Sequence, residues 1–488
     1  MRRLIPAMVV LLMSNVAIAG NAEAGIREGA MFSVSRGERQ LFLDDYGIAK
    51  IENLKRTMHQ PTKKGAVIRP DIGRNESTPQ TRSAPSWDPD GQTFRLGVSE
   101  AGGPGLVTTI WESSDGLDWH RQAVSEVAFY CAVRDPTDPD PSRRYKSIRR
   151  DGKALVFMVS PDMVTWKTLD VPPIPSSDEY NLSFDEKCHL FVATPKRSGP
   201  HGRSVALATS TDFANWTDHG LIFHADDRDQ ELGRENIKAR LANPGLCQPF
   251  YNDPEAYNVD VYNMGVFRYE GLYIGVPAMF HATGRIPNYP NTDGFHLIQL
   301  ACSRDLKTWQ RLGDRETFIG PSPLGQGAYD LTQMIGPSCA VIRGDELWFY
   351  HTGCKYRGGW KYVGKYPDGQ IVWLPGLDPD RGAICLAVLR RDGFISLDAG
   401  DAEGVVVTEP FEMSAHALFV NVDAPKGALR VEVQGQDGKV LAASAPVSGD
   451  LPRALVKWKR GDLARLKGKT VTLRFALRKA SLYSYWLE

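Results

Sequence analysis

The sequence predicts an all-β protein, a five-bladed β-propeller followed by a C-terminal antiparallel β-sandwich. Three observations predict it. One short phrase recurs along the chain: "ESSDGLDWHR", "VSPDMVTWKT", "TSTDFANWTD" and "CSRDLKTWQR" all fit S-x-D-x-x-x-W. Glycine and proline are abundant, 46 and 32 of 488 residues, which suits many short strands joined by turns. After about residue 400 the pattern changes to alternating apolar and polar residues, the period of half-buried strands.

The chain opens with Arg2 and Arg3, the apolar run "LIPAMVVLLM", and the small-x-small site Ala17-Ile18-Ala19. This is the layout of a secretory signal peptide over residues 1–19, so an exported, periplasmic or extracellular protein is expected. The apolar run is too short to span a bilayer, and no later stretch is long and apolar enough, so no membrane insertion is expected. Lys+Arg and Asp+Glu are both 58, giving a formal charge of zero. That balance argues against nucleic acid and against an anionic membrane as partner. Oligomeric state is not legible.

Residues 37–398 read as the propeller. Each repeat follows an apolar run, for example "ALVFMVS" or "SVALATS". The pattern reads as strand, Asp-stabilised turn, and a Trp that packs back. Trp119, Trp166, Trp216 and Trp309 stand 47, 50 and 93 residues apart, so an insertion separates the third and fourth units. A fifth, degenerate copy, "LRRDGFISLD", keeps Asp392 and has no Trp. Repeats of this length built from several strands indicate propeller blades. Two hairpins share a register: "DEYNLSFDEKCHLF" from Asp178 and "DVYNMGVFRYEGLY" from Asp260 both open D-x-Y-N and carry an aromatic, Phe191 or Tyr273, thirteen residues on. The insertion "ADDRDQELGRENIKARLANPGLCQPFYNDPEAYN" falls just before Asp260, where it suits a loop over the funnel mouth or a variable surface loop. Residues 402–488 read as the sandwich, with a "QDGK" hairpin turn and "LDAGDAEG" as linker.

The opening "QLFLDDYGIAKIENLKRTMHQP", the S-x-D-x-x-x-W turns and the ending "ALFVNVDAPKGALRVEVQGQDGKVL…LRFALRKASLYSYW" resemble bacterial secreted proteins related to glycoside hydrolase family 32, within the wider group of families 32, 43 and 68. The resemblance runs from about Gly37 to Glu488. It implies a central funnel in which carboxylates from the innermost strands hydrolyse a glycosidic bond, with the sandwich as an accessory domain. The family's W-M-N-D-P-N and E-C-P motifs have no copy here. Its R-D-P motif, whose Asp supports the transition state, is matched by Arg134-Asp135-Pro136. Internal alignment also places those residues at a hairpin turn equivalent to Trp87–Asp90, and both readings stand open.

Glycoside hydrolysis needs two carboxyl groups flanking the scissile bond, and a propeller supplies them where the innermost strands begin. Asp178 and Asp260 are the first candidates by shared register. Glu76, Glu126 and Asp330 precede the inner strands of the first, second and fifth blades. Tyr180 and Tyr262, on the same strand faces as the two Asp residues, are candidates to stack on sugar rings, with Arg203, His281 and His351 as further substrate-binding candidates. The seven cysteines form no C-x-x-C pair, so no zinc site is expected and most read as buried thiols. No cofactor is required by this chemistry. The acids near the channel leave room for a structural Ca²⁺, although no calcium-loop motif occurs. The expected function is therefore a secreted glycosidase acting on a poly- or oligosaccharide. A non-catalytic carbohydrate-binding propeller and a glycoside phosphorylase, which would hold phosphate with basic residues beside one acid, are the alternatives.

Overall fold

The structure is a computed structural model that describes residues 32–74, 76–100, 106–286, 291–357, 362–365, 371–373 and 378–488. The signal peptide expected over 1–19 lies outside them. Five antiparallel sheets follow one another as blades. The first runs outward from Pro79–Gln80 through Thr93–Glu100 and Val107–Ser113 to His120–Val124. The second starts at Cys131–Arg134, the third at Tyr180–Asp185 and the fourth at Asn258–Tyr269. The fifth orders Gln333–Ile335, Glu346–Cys354, Gly382–Arg390 and finally Thr62–Ile68. That last strand comes from the start of the chain and pairs Ile68 with Ile384. It closes the ring, so the last blade holds both ends of the propeller together.

The repeated motif builds one turn four times. The Asp carboxylate accepts the backbone N–H groups two and three residues on: Leu117 and Asp118 onto Asp115, Ala214 and Asn215 onto Asp212, Lys307 and Thr308 onto Asp305. The residue after the Asp is left-handed, at φ 77° in Gly116, 66° in Met163, 60° in Phe213 and 66° in Leu306. The indoles of Trp119, Trp166 and Trp309 then donate to the carbonyl of that same left-handed residue. Each Trp packs against the preceding blade: Trp119 on Tyr350, Trp216 on Phe157, Trp309 on Phe223. The fifth copy is shifted by one residue. Asp392 is itself left-handed (φ 62°) and so occupies the position after the turn Asp, which is held by Arg391. Ile395, buried in the core, stands where the other blades have Trp.

The C-terminal strands form a twelve-stranded antiparallel sheet that curls on itself. Its long strand Leu418–Gly435 pairs early with Val447–Leu455 and late with Thr470–Arg478, so two halves face each other across a core of Val420, Leu429, Val431, Leu473 and Phe475. Residues 37–58, read from sequence as the start of the propeller, contribute three strands to this sheet. Gln40–Leu41 pairs with Ala480–Leu487, Ile48–Glu52 with Gly404–Thr408, and Lys55–Met58 with Ile395–Ala399. The reason is strand alternation: Leu41 and Leu43 face the propeller core while Phe42 faces the sandwich core. This stretch is the seam between the two.

The insertion before Asp260 forms a helix, Asp227–Leu241, closed at its start by a reciprocal Asp226–Asp229 capping box. The helix packs on the fourth blade through Gly233 and Ile237. All seven cysteines are free thiols, Cys339 and Cys354 among them. Among the described residues no helix is long and apolar enough to cross a membrane.

Candidate active site

The channel along the propeller axis is closed below by asparagines. In both D-x-Y-N hairpins the Asn points to the axis. Asn263 Nδ2 donates to Asn181 Oδ1 at 2.9 Å, and both amides reach the Gly336 carbonyl of the fifth blade. Next to them, a Cβ on Gly265 would stand 1.7 Å from the Pro337 carbonyl oxygen, so only glycine lets the fourth and fifth blades meet there.

Above this floor is a cavity of about 610 Å³. The first blade contributes Gln80 and Arg82, the second Val127, Ala128 and Tyr130, the third Asp178, Glu179 and Tyr180. The third also contributes Arg203, from its strand Gly202–Ser210, the fourth contributes Tyr262, and the fifth Gln333 and Arg357. The starts of the inner strands thus converge on one hollow. At its centre Arg82 grips Glu179 in a bidentate pair, Nε to Oε2 at 2.7 Å and Nη2 to Oε1 at 2.6 Å. Tyr262 donates its hydroxyl to Glu179 Oε1 at 3.1 Å, and the Arg82 guanidinium lies 4.0 Å from the Tyr130 ring centre. Burial would push the Glu179 carboxyl up, but the charge and hydrogen bonds of Arg82 overcome it and hold the group at about 2. Glu179 is a fixed carboxylate.

Asp178 lies beside it at the mouth, with half its side chain exposed. Lys196, only 2% exposed, sits beneath and donates to Asp178 Oδ2 at 3.1 Å, and Arg150 approaches Oδ1 at 3.6 Å. Burial lowers the Lys196 ammonium to about 8, with Asp178 and Glu179 opposing the shift. Asp260, the register mate of Asp178, is placed differently. Its strand begins two residues earlier, so Asp260 is already paired with Phe280 within the sheet. It is buried behind Arg203, whose Nε donates to Oδ2 at 2.8 Å, while Oδ1 has no partner. Gly202, left-handed at φ 112°, lets the turn approach that carboxylate, since a Cβ there would lie 3.0 Å from Oδ2. Tyr180 and Tyr262 both line the cavity, and Lys196, Arg203 and Arg357 all lie against the Tyr262 ring.

The other sequence candidates are held elsewhere. Glu76 pairs with Arg121 and accepts the Asp71 N–H. Glu126 is exposed, its backbone tied to Val164. Asp330 is buried between Lys63 Nζ at 2.7 Å and His351 Nε2 at 3.3 Å, both on the same oxygen. Burial opposes but His351 and Lys63 bring its carboxyl down to about 2. Asp330, His351 and Cys385 place one ligand atom each within 4.8 Å, a donor set of zinc type, yet Lys63 already supplies the cation to that carboxylate. His281 is stacked on Phe295 and bonded to Asn236 of the helix, and burial lowers it to about 4. Asp135 of the R-D-P sequence sits in the hairpin turn, bound to Thr137 and to Lys146 at 2.9 Å. No described residue of the insertion lines the cavity.

Glu179, Arg82, Lys196 and Arg357 were not candidates from sequence. Alternation placed Glu179 on the strand face opposite Asp178 and Tyr180, but Glu179 stands just before Tyr180, where the regular register begins; its carbonyl still accepts the Lys196 N–H while its side chain turns inward to Arg82. Its partner Arg82 is 97 residues away, and no local spacing records that contact.

No family model matches the chain, and no curated protein matches it. Solved structures are similar in outline. The Bombyx mori GH32 beta-fructofuranosidase is 10% identical, covers 87% of this chain and 93% of its own, and superposes with a TM-score of 0.39. The catalytic domain of the Coprinopsis cinerea GH62 alpha-L-arabinofuranosidase is 12% identical, covers 68% and 97%, and gives 0.40. A structure from the GH130 family of mannoside phosphorylases is 12% identical, covers 72% and 96%, and gives 0.37. At these values no residue role transfers, and the functional reading rests on the cavity itself.

Proposed function

We propose that this chain is an exported enzyme that cleaves a glycosidic bond of a poly- or oligosaccharide in the axial cavity. The observation that carries the reading is the pair of adjacent carboxylates, Asp178 and Glu179, in a tyrosine-walled hollow of about 610 Å³. Glu179, clamped by Arg82, supplies constant negative charge against the positive charge that develops at the anomeric carbon. Asp178 has the solvent access needed to exchange a proton with water or with the leaving oxygen, and Lys196 holds it in place. Asp260 is a positioning residue, orienting Arg203 in the wall. Tyr262, covered by Lys196, Arg203 and Arg357 and bonded to Glu179 through its hydroxyl, braces the site, while Tyr180 packs mainly into the core beside it.

One observation favours a second reading, phosphorolysis with inorganic phosphate in place of water. Five arginines, Arg82, Arg149, Arg150, Arg203 and Arg357, line the cavity. The test is a glycan panel assayed for product release with and without phosphate, alongside binding. Wild-type protein should release product, and Asp178→Asn should lose roughly 10²-fold or more of that rate while binding persists. Product only with phosphate selects the phosphorylase. Binding with no release under either condition makes the chain a carbohydrate-binding propeller and ends the catalytic reading.

A further inference from the structure

We infer that the substrate presents an oxyanion to this cavity and that Arg357 receives it; the inference rests on the reading of the cavity as a carbohydrate site. A chain with a formal charge of zero gathers five arginines around one cavity, against two carboxylates among its described lining residues. The two carboxylates are already committed, Glu179 to Arg82 and Asp178 to Lys196 and Arg150. Arg203 is matched by Asp260. Arg357 has no such match among the described residues. It is 7% exposed, yet among the described residues no carboxylate lies within ion-pair distance of it, and its Nε has no hydrogen-bond partner.

Among the described residues, the surroundings of Arg357 supply no counter-charge. Its guanidinium lies 4.8 Å from the Phe280 ring centre and 5.5 Å from that of Tyr262, the two rings that Arg203 also covers, at 4.5 and 5.1 Å. Lys196 stands 4.1 Å from the same tyrosine ring. Three cations therefore share one aromatic floor. Between those rings lies His296, fully buried, with Nε2 unpartnered; burial first, and then Arg357, Arg203 and Lys196, hold this imidazole neutral. It adds no negative charge. A buried guanidinium without a counter-charge is costly to keep, and its planar fork matches carboxylate, sulfate or phosphate oxygens. The group that completes it comes with the ligand. Two sources share this chemistry: an acidic substituent on the sugar, as in a uronic acid or sulfate ester, and free inorganic phosphate.

The test is binding to the whole protein by calorimetry, with galacturonate, glucuronate, galactose 6-sulfate and inorganic phosphate as probes and galactose and glucose as neutral controls. Wild-type protein should bind at least one anionic probe at least tenfold more tightly than the neutral sugars, and this preference should shrink as salt is raised. Arg357→Gln should weaken the anionic probe at least tenfold and leave neutral sugars unchanged, while Arg357→Lys should keep part of the affinity. Binding of acidic sugars assigns the oxyanion to the substrate; binding of phosphate alone assigns it to a phosphate co-substrate. Neutral sugars bound as tightly as their acidic counterparts with phosphate not bound, or anions bound equally by wild type and Arg357→Gln, would overturn the inference. The salt dependence is read on wild-type protein, so a variant that fails to fold leaves the test decisive. Binding is read without turnover, so an absence of glycan cleavage would strike the preceding reading and leave this one intact.

Discussion

Glu179 shows how much one residue settles and how little of that is visible locally. A carboxylate buried in a cavity must be paired; Arg82 supplies two hydrogen bonds and Tyr262 a third. Removing one partner strands the other, so Glu179→Gln should cost about 3–5 kcal/mol of stability. The pH dependence has a definite sign. The folded carboxyl titrates at about 2 against 4.5 for an ordinary glutamate, so its contribution is complete above about pH 4.5 and is lost as pH falls toward 2. Denaturant titrations between pH 7 and 2 should show this loss in the wild type and a flatter profile in Glu179→Gln. Equal slopes would mean that the pair does not form. The sequence pointed, through Asp178 and Tyr180, to the hairpin that also carries Glu179. It could not point to Glu179, because the inward turn depends on where strand pairing begins, a long-range property.

At the scale of elements, the repeated turn was the most legible feature. Its Ser, Asp and Trp serve one local structure, with the Asp capping N–H groups only two and three residues away. Local chemistry of that kind is written in consecutive residues. Asp392 marks the limit: the fifth turn matches the pattern by eye, but its left-handed residue is the Asp itself, a register that only strand pairing reveals. The two halves of the motif also differ in weight. The turn Asp is half-buried in three of the four copies and exposed in the other, Asp212, whereas Trp119 is buried where the first blade meets the fifth, beside Tyr350 and Trp348. Trp119→Ala should therefore cost about 3 kcal/mol or more by opening a cavity at the ring's closure. Asp305→Ala removes hydrogen bonds that water can replace and should cost about 1 kcal/mol. Urea unfolding of the two variants checks the order; a larger loss for Asp305→Ala would reverse the assignment of packing and turn.

At the scale of the whole molecule, the two parts meet on one carboxylate. Asp392 is fully buried and accepts from three regions of the chain: Arg39 at 2.5 Å from the seam, Tyr269 at 2.6 Å from the fourth blade, and Ser484 at 2.6 Å and Asn421 at 3.1 Å from the C-terminal sheet. Arg39 in turn lies 3.8 Å from the Trp486 ring centre, so its charge is held by the sandwich and answered by the propeller. Around this point residues 40–58 thread both bodies, pairing with the sheet while Leu41 and Leu43 enter the propeller core. Sequence patterning cannot assign such a seam, because each strand alternates equally well toward either core. Coupling follows from the geometry: with Asp392 intact, neither part can open without exposing a buried ion pair. Wild-type protein should therefore unfold in a single calorimetric transition. Asp392→Ala leaves Arg39 buried and unmatched, and should lower stability by about 3–5 kcal/mol. It should also split the transition in two, with propeller and sandwich melting separately. A variant that still melted in one step, within about 1 kcal/mol of wild type and so inside the range of an ordinary surface change, would show that apolar contact along the seam, and not this carboxylate, joins the two bodies.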